Sequence, residues 1–109
     1  MKVLAIERAV EGVAEDRFTP QLGRAEASRV WELEQDGIVR EIYFRTDESS
    51  AVLVLECASV EEAKEALESL PLVAAGLIRF EVLGLRAYPG FARLFAPAAA
   101  AGLKPGEPD

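Results

Sequence analysis

The fold is encoded most clearly in residues 59–72, which read SVEEAKEALESLPL. Ser59 and Glu62 have the Ser-x-x-Glu spacing of a capping box, so a helix is predicted to begin here. Apolar residues follow along one face at helical spacing, and Pro71 is predicted to end the helix because proline has no backbone N–H. The segment therefore predicts a short amphipathic helix with one face available for packing.

Strands are predicted on both sides of this helix, and a second helix lies nearer the N-terminus. Thr19 and Pro20 are typical of a helix N-terminus, and Gly37 is predicted to end that helix. Apolar or alternating segments predict strands at residues 1–8, 38–45, 51–57 and 77–85. The order βαββαβ predicts a ferredoxin-like α+β fold, a four-stranded antiparallel sheet with two helices on one face. Its other face is expected to be covered by a partner subunit.

The composition predicts one globular domain. The chain has 109 residues, half of them hydrophobic, which is enough for a single core. We expect this domain to span residues 1–96 and the Ala/Gly/Pro-rich residues 97–109 to form a flexible tail. The net charge of −7 argues against nucleic-acid and anionic-membrane partners, and no long apolar run predicts a membrane span or signal peptide. A cytoplasmic location is expected.

The residue types present restrict the possible chemistry. The chain has one cysteine, Cys57, and no histidine. Ser-His and Cys-His nucleophilic pairs are therefore excluded. No group of acidic residues has the spacing of a calcium loop, and no Gly-rich phosphate loop is present. We expect a protein without a bound metal.

Glu26 is the leading candidate for a catalytic residue. At 100° per residue it falls between Val30 and Leu33 on the apolar face of the first predicted helix. A charge at this position must be paired, hydrogen-bonded, neutralised or in contact with a pocket. Two interpretations remain open: a carboxylate that is paired with Arg29 or reaches solvent, and a desolvated general base or acid with a raised pKa.

Three residues of the second predicted strand are candidate substrate-binding residues. Simple alternation places Arg40 on the same face as Ile42 and Phe44, where it either brackets a pocket with Glu26 or only neutralises that carboxylate. Tyr43 and Arg45 fall on the opposite face, where they serve either as interface anchors or as substrate contacts.

Trp31 falls opposite the apolar face of the first predicted helix, so it is expected to be partly exposed and to point away from any pocket.

Four segments of the chain resemble the muconolactone isomerase family, in the same order and at nearly the same spacing. They are GIVR at 37–40, ASVEEA at 58–63, LPL at 70–72 and EVLGL at 81–85. The resemblance covers about residues 20–90, and LPL after a capped helix is its most specific part. In this family, Glu26 matches a glutamate of the first helix, and Arg40 matches an arginine just after the glycine that ends that helix.

The resemblance implies a dimeric α+β barrel, in which two ferredoxin-like sheets pack face to face, often within a larger ring. It also implies an isomerase that moves a proton within a small unsaturated lactone or oxo acid, without a metal or organic cofactor. The implied partners are a small, anionic substrate and further copies of the chain. A non-catalytic ligand-binding or assembly module, and a cofactor-free monooxygenase of phenolic polyketides, remain alternatives on the same fold.

Overall fold

The predicted fold is confirmed by a computed structural model that describes residues 1–95; the predicted tail at 97–109 lies outside these residues. The strands are β1 (Lys2–Ala9), β2 (Val39–Phe44), β3 (Ala51–Glu56) and β4 (Ile78–Gly84). The helices are α1 (Pro20–Gln35), α2 (Val60–Glu68) and α3 (Pro71–Ala74), and 3-10 turns occur at Glu15–Arg17 and Gly90–Leu94. The result is an α+β fold in the ferredoxin-like order, with α3 as an addition.

The four strands form one antiparallel sheet in the order β2-β3-β1-β4. Alternate residues of the central strands point towards the helices, and the core lies between these layers. Its largest fully buried side chains are Leu33, Leu53, Leu55, Leu70, Val3 and Val39.

The residues at which α1 was predicted to begin and end also cap the helix in the structure. The Thr19 hydroxyl accepts a hydrogen bond from the Leu22 N–H at 3.1 Å, and Pro20 opens the helix. Gly37 has φ +78°, and the N–H of Ile38 reaches back to the Leu33 carbonyl at 2.9 Å. Glycine adopts this left-handed conformation without a steric penalty, so α1 ends in a Schellman motif.

Pro71 does not end α2 directly, which corrects the prediction. The helix α2 ends at Glu68, and Pro71 is the first residue of α3. The preceding residue, Leu70, is extended (φ −71°, ψ 130°) because a proline ring clashes with helical geometry at the residue before it. The chain therefore leaves the helical conformation at Leu70 and starts a new helix at Pro71.

A bulge at Arg40 corrects the predicted alternation of β2. Val39 pairs with Leu55 and Glu41 pairs with Val54, so Arg40 is an extra residue on this strand. Val39 therefore shares the helix-facing side with Ile42 and Phe44 and is buried. A sequence pattern with strict period 2 cannot register this inserted residue.

The sheet face away from the helices is largely apolar. By alternation from the buried residues of β1 and β3, this open face carries Leu4, Ile6, Val52, Val54 and Leu83. Leu83 is 40% exposed, and the C-terminal Phe91, Leu94 and Phe95 are more exposed still. An exposed apolar sheet face is typical of an interface, and dimerisation through it stays a prediction.

Candidate active site

A cavity of about 430 Å³ lies between α1, the sheet and the start of α3. We call it the α1 cavity. Its size falls within the range of small-molecule sites. Most of its wall is apolar, and the larger apolar side chains are Val30, Trp31, Ile42, Phe44, Leu53, Leu70, Leu72 and Phe80. The acidic side chains of Glu7, Glu26 and Glu34 also line it.

Glu26 lies half-buried at the wall of the α1 cavity. Its Oε1 accepts a hydrogen bond from the backbone N–H of Leu72 at 2.9 Å. Leu72 is the second residue of α3, where a backbone N–H has no acceptor within the helix, so the carboxylate satisfies it. Burial is the largest effect on Glu26 and raises its pKa; the Leu72 hydrogen bond lowers it, and the negative charge of Glu7 raises it further.

Arg29 is not the partner of Glu26, so the interpretation in which the two form a salt bridge is wrong. The Arg29 Nε donates to the Ser69 hydroxyl at 2.9 Å, and its Nη1 lies 3.2 Å from the Glu32 carboxylate. Arg29 is thus satisfied by its own turn of α1 and by the end of α2. Glu26 is left with a backbone donor and the cavity.

Glu7 is a second carboxylate of the α1 cavity that the sequence analysis missed. Its Oε1 accepts a hydrogen bond from the Ala51 N–H at 3.1 Å, just beyond the last paired residues of β1 and β3. Burial raises the pKa of Glu7 most strongly, the Ala51 hydrogen bond lowers it, and the nearby charge of Glu48 raises it. Period 2 from the buried Val3 and Ala5 would have placed Glu7 on the same face.

The three candidate substrate-binding residues of the β2 region do not line the α1 cavity of the single chain. Arg40 donates from Nε to the Gly37 carbonyl at 2.6 Å, and the Tyr43 hydroxyl bonds the Glu41 carboxylate at 2.8 Å. Arg45 forms ion pairs with Asp47 and Glu48 in the β2–β3 turn. The structure therefore does not bring these three residues together with Glu26.

Trp31 is 62% exposed, as expected, but it lines the α1 cavity, so the prediction that it points away from any pocket is wrong. The cavity extends past the core-facing stripe of α1 to the helix flank that carries Trp31 and Glu34. Among residues 1–95, neither Lys nor Arg lines the cavity.

Within residues 1–95, no group of three or more His, Cys, Asp or Glu side chains is arranged to hold a metal ion. In the same residues, each helix is too short or too polar to cross a membrane.

The order of the elements and the four-stranded antiparallel sheet define a ferredoxin-like α+β fold. No family model matches the sequence, and no curated protein matches it significantly. Solved structures do match, and they include two enzymes.

Muconolactone isomerase is similar to the chain with a TM-score of 0.64 at 23% sequence identity, over 82% of this chain and 92% of that one. The second is 5-chloro-2-hydroxyhydroquinone dehydrochlorinase from Burkholderia phenoliruptrix AC1100 in complex with 2,5-dihydroxybenzoquinone. It matches with a TM-score of 0.61 at 18% identity, over 79% of this chain and 94% of that one. At these identities the likeness shows the fold, and the predicted resemblance is confirmed at that level.

Proposed function

We propose that the protein is an isomerase-like proton-transfer enzyme that acts on a small unsaturated lactone or oxo acid without a cofactor, with Glu26 as the general base. The observation that carries the proposal is the placement of the half-buried Glu26 at a mostly apolar cavity wall that, within residues 1–95, includes no Lys or Arg side chain. Such a site raises the pKa of a carboxylate towards the pH at which it both takes and returns a proton.

The solved structures support this proposal through their own chemistry. Muconolactone isomerase rearranges a lactone, and the dehydrochlorinase acts on a chlorinated hydroxyhydroquinone. Both names describe reactions of small unsaturated rings. A cavity of about 430 Å³ with flat aromatic walls from Trp31, Phe44 and Phe80 suits a ring of that size.

The predicted roles of Arg40, Tyr43 and Arg45 in binding an anionic substrate stay proposals. To contact a substrate in the α1 cavity, each of these side chains would have to leave its present partner. Alternatively, it would have to reach the cavity of another subunit in a dimer or larger ring. The lining described above favours an uncharged substrate. A cytoplasmic enzyme assembled as a homodimer through the open face of the sheet also stays a proposal.

Two lactones that differ in charge test the proposed reaction. The first is 5-methyl-2(3H)-furanone, which is uncharged, and the second is muconolactone, which carries a carboxylate. Proton NMR in D₂O follows both isomerisation and deuterium uptake at the α and γ carbons. The wild-type protein is expected to catalyse one or both. Glu26→Gln is expected to lower kcat by about 10²-fold or more, the usual contribution of a positioned base.

Glu32→Gln is the matched control, because Glu32 is exposed on the same helix and makes only a surface ion pair. Its rate should equal that of the wild type. The assignment of the base is wrong if Glu26→Gln turns over at the wild-type rate. The proposed reaction is wrong if neither lactone, nor an enolisable oxo acid of similar size, is isomerised or exchanges deuterium.

A cofactor-free monooxygenase is the second candidate, because Trp31 lines the cavity as that reaction class would require. The corresponding assay measures O₂ consumption with a phenolic substrate. Consumption that depends on Trp31, in the absence of lactone isomerisation, would favour this candidate.

A further inference from the structure

Glu7 and Glu26 approach the α1 cavity from different layers of the fold. Glu7 extends from the central strand β1, and Glu26 extends from α1, which covers the sheet. Each carboxylate uses Oε1 to accept one backbone hydrogen bond, from Ala51 and from Leu72 respectively. Within residues 1–95, neither makes another hydrogen bond, so each keeps its Oε2 for a ligand.

We propose that Glu7 is the second proton-transferring residue of the α1 cavity, which holds a proton while Glu26 is ionised and gives it to the substrate oxygen. This inference rests on the proposed function, since it supplies the acid that the base Glu26 needs. An enolate formed in the cavity requires a donor for its oxygen, and no described Lys or Arg lines the wall. A carboxylic acid kept neutral by an apolar site can be that donor.

The surroundings of the two carboxylates favour one shared proton. Glu48 faces Glu7 from the β2–β3 turn, and Glu34 lies at the cavity rim on α1. All four groups are acidic, so ionising both Glu7 and Glu26 places two negative charges, each half-buried, at the wall of one mostly apolar cavity. Burial raises the pKa of each, and the Glu7 charge raises that of Glu26, so the proposed shared proton predicts two coupled titration steps for the pair.

The reaction balances without any other reactant. The Glu26 carboxylate removes a proton from the carbon α to the carbonyl, while the Glu7 carboxylic acid donates its proton to the carbonyl oxygen, which gives a neutral dienol. Protonated Glu26 then returns its proton to the γ carbon, and the Glu7 carboxylate takes back the dienol proton. One C–H bond breaks and another forms, the double bond moves, and both carboxyl groups end as they began.

The same arrangement restricts the substrate. A substrate carboxylate would add a negative charge among Glu7, Glu26 and Glu34, with no described cation in the lining to offset it. An uncharged, enolisable lactone or enone adds no charge, and its carbonyl oxygen can accept the proton of Glu7. The cavity is therefore expected to convert 5-methyl-2(3H)-furanone at a higher kcat/KM than muconolactone.

A titration without substrate tests the shared proton. Protein labelled with ¹³C at the glutamate carboxyl carbons is titrated by NMR as wild type, Glu7→Gln and Glu26→Gln, with Glu32→Gln as the control for assignment. In the wild type, two carboxyl signals should titrate together in two steps, the upper step above the usual range of glutamate. In Glu7→Gln, Glu26 should titrate in a single step, with a pKa below that of the upper step in the wild type. Independent titration of the two groups at ordinary values would overturn the proposal.

Turnover of 5-methyl-2(3H)-furanone tests the catalytic role. Gln at position 7 keeps an oxygen for the Ala51 N–H but has no proton to transfer, so kcat of Glu7→Gln should fall about 10²-fold. The wild-type pH profile should be bell-shaped, and this variant should lose the alkaline limb that the acid produces. Glu7→Asp, which retains an acid, should recover part of the rate and that limb.

The outcomes separate this inference from the proposed function. If Glu7→Gln keeps the wild-type kcat and the alkaline limb while Glu26→Gln is inactive, the role of Glu7 is refuted and Glu26 remains the base. If the wild type converts no lactone or oxo acid, the proposed function fails and the catalytic role of Glu7 fails with it. Thermal melting by circular dichroism verifies that each variant is folded.

Discussion

Gly23 offers a test of the α1 cavity in which stability and activity are expected to change independently. It lies in α1, one turn before Glu26, and lines the cavity. A Cβ built at Gly23 meets nothing within 4 Å, and its φ is not in the left-handed region. The absence of a side chain here therefore leaves space in the cavity and serves no backbone requirement.

Gly23→Ala should stabilise the protein. Alanine is favoured over glycine by about 0.8–1.0 kcal/mol inside a helix, and the open space adds no steric cost. For a domain of this size, about 1 kcal/mol raises Tm by about 4 °C. Differential scanning calorimetry measures Tm, and urea unfolding measures the free energy of unfolding. The lactone kcat/KM should change less than about threefold, because only one methyl group enters a cavity of about 430 Å³.

Gly76→Ala is the matched control with the opposite sign. A Cβ at Gly76 also meets nothing within 4 Å, but its φ is +74°, so alanine there should cost about 1 kcal/mol in backbone strain. Gly23→Leu should keep the helix gain and fill part of the cavity, which should lower kcat/KM about tenfold or more. A Gly23→Ala protein that melts no higher than wild type, or a Gly23→Leu protein with unchanged kinetics, would refute this reasoning.

Three further predictions concern stability and assembly. Glu26→Gln should be more stable than wild type at neutral pH in urea unfolding. The folded-state pKa of Glu26 is raised above its usual 4.5, so the wild type loses stability as the pH rises through that pKa. The difference in stability should vanish below about pH 4, where Glu26 is protonated in both the folded and the unfolded state. Leu53→Ala, at a fully buried position of β3, should cost about 2–5 kcal/mol by the same measurement. Ile6→Asp on the open sheet face should convert a dimer into a folded monomer in sedimentation velocity, and an unchanged sedimentation coefficient would contradict the predicted interface.

The order of elements could be predicted because local signals and the global fold agree. Thr19, Pro20 and Gly37 delimit α1, and Ser59 begins α2 with its hydroxyl accepting from the Glu62 N–H at 3.1 Å. Each of these signals acts within one turn of helix, so the helix boundary that it predicts does not depend on tertiary contacts.

The environment of Glu26 could be predicted only in part. A helical wheel gives the direction of a side chain but not what lies across from it, so it identified a half-buried carboxylate and not the Leu72 N–H. Arg29 satisfied the rule for neighbours three apart on a helix, yet Ser69 and Glu32 compete for its guanidinium. Long, flexible side chains have several partners within reach, and sequence spacing does not rank them.

Arg40 and Glu7 illustrate two different failures. The bulge at Arg40 shifts every face assignment before it by one residue, and nothing in the local composition marks its position. Glu7, in contrast, obeys period 2, but a charged residue near the end of a predicted strand is usually taken as its exposed terminus. Its partial burial depends on the residues that line the α1 cavity with it, which come from other strands and helices and are distant in the sequence.

The LPL segment connects the fold to the chemistry of the cavity. Because Leu70 precedes a proline, its backbone is extended, and Pro71 then starts a helix whose first N–H, at Leu72, has no acceptor within the helix. That N–H donates to the Glu26 carboxylate at 2.9 Å and so connects α3 to α1. The bond lowers the pKa of Glu26 while burial and Glu7 raise it. The Leu70–Pro71 step therefore orients the Glu26 carboxylate and limits how far its pKa rises, which is what its proposed role as a general base requires.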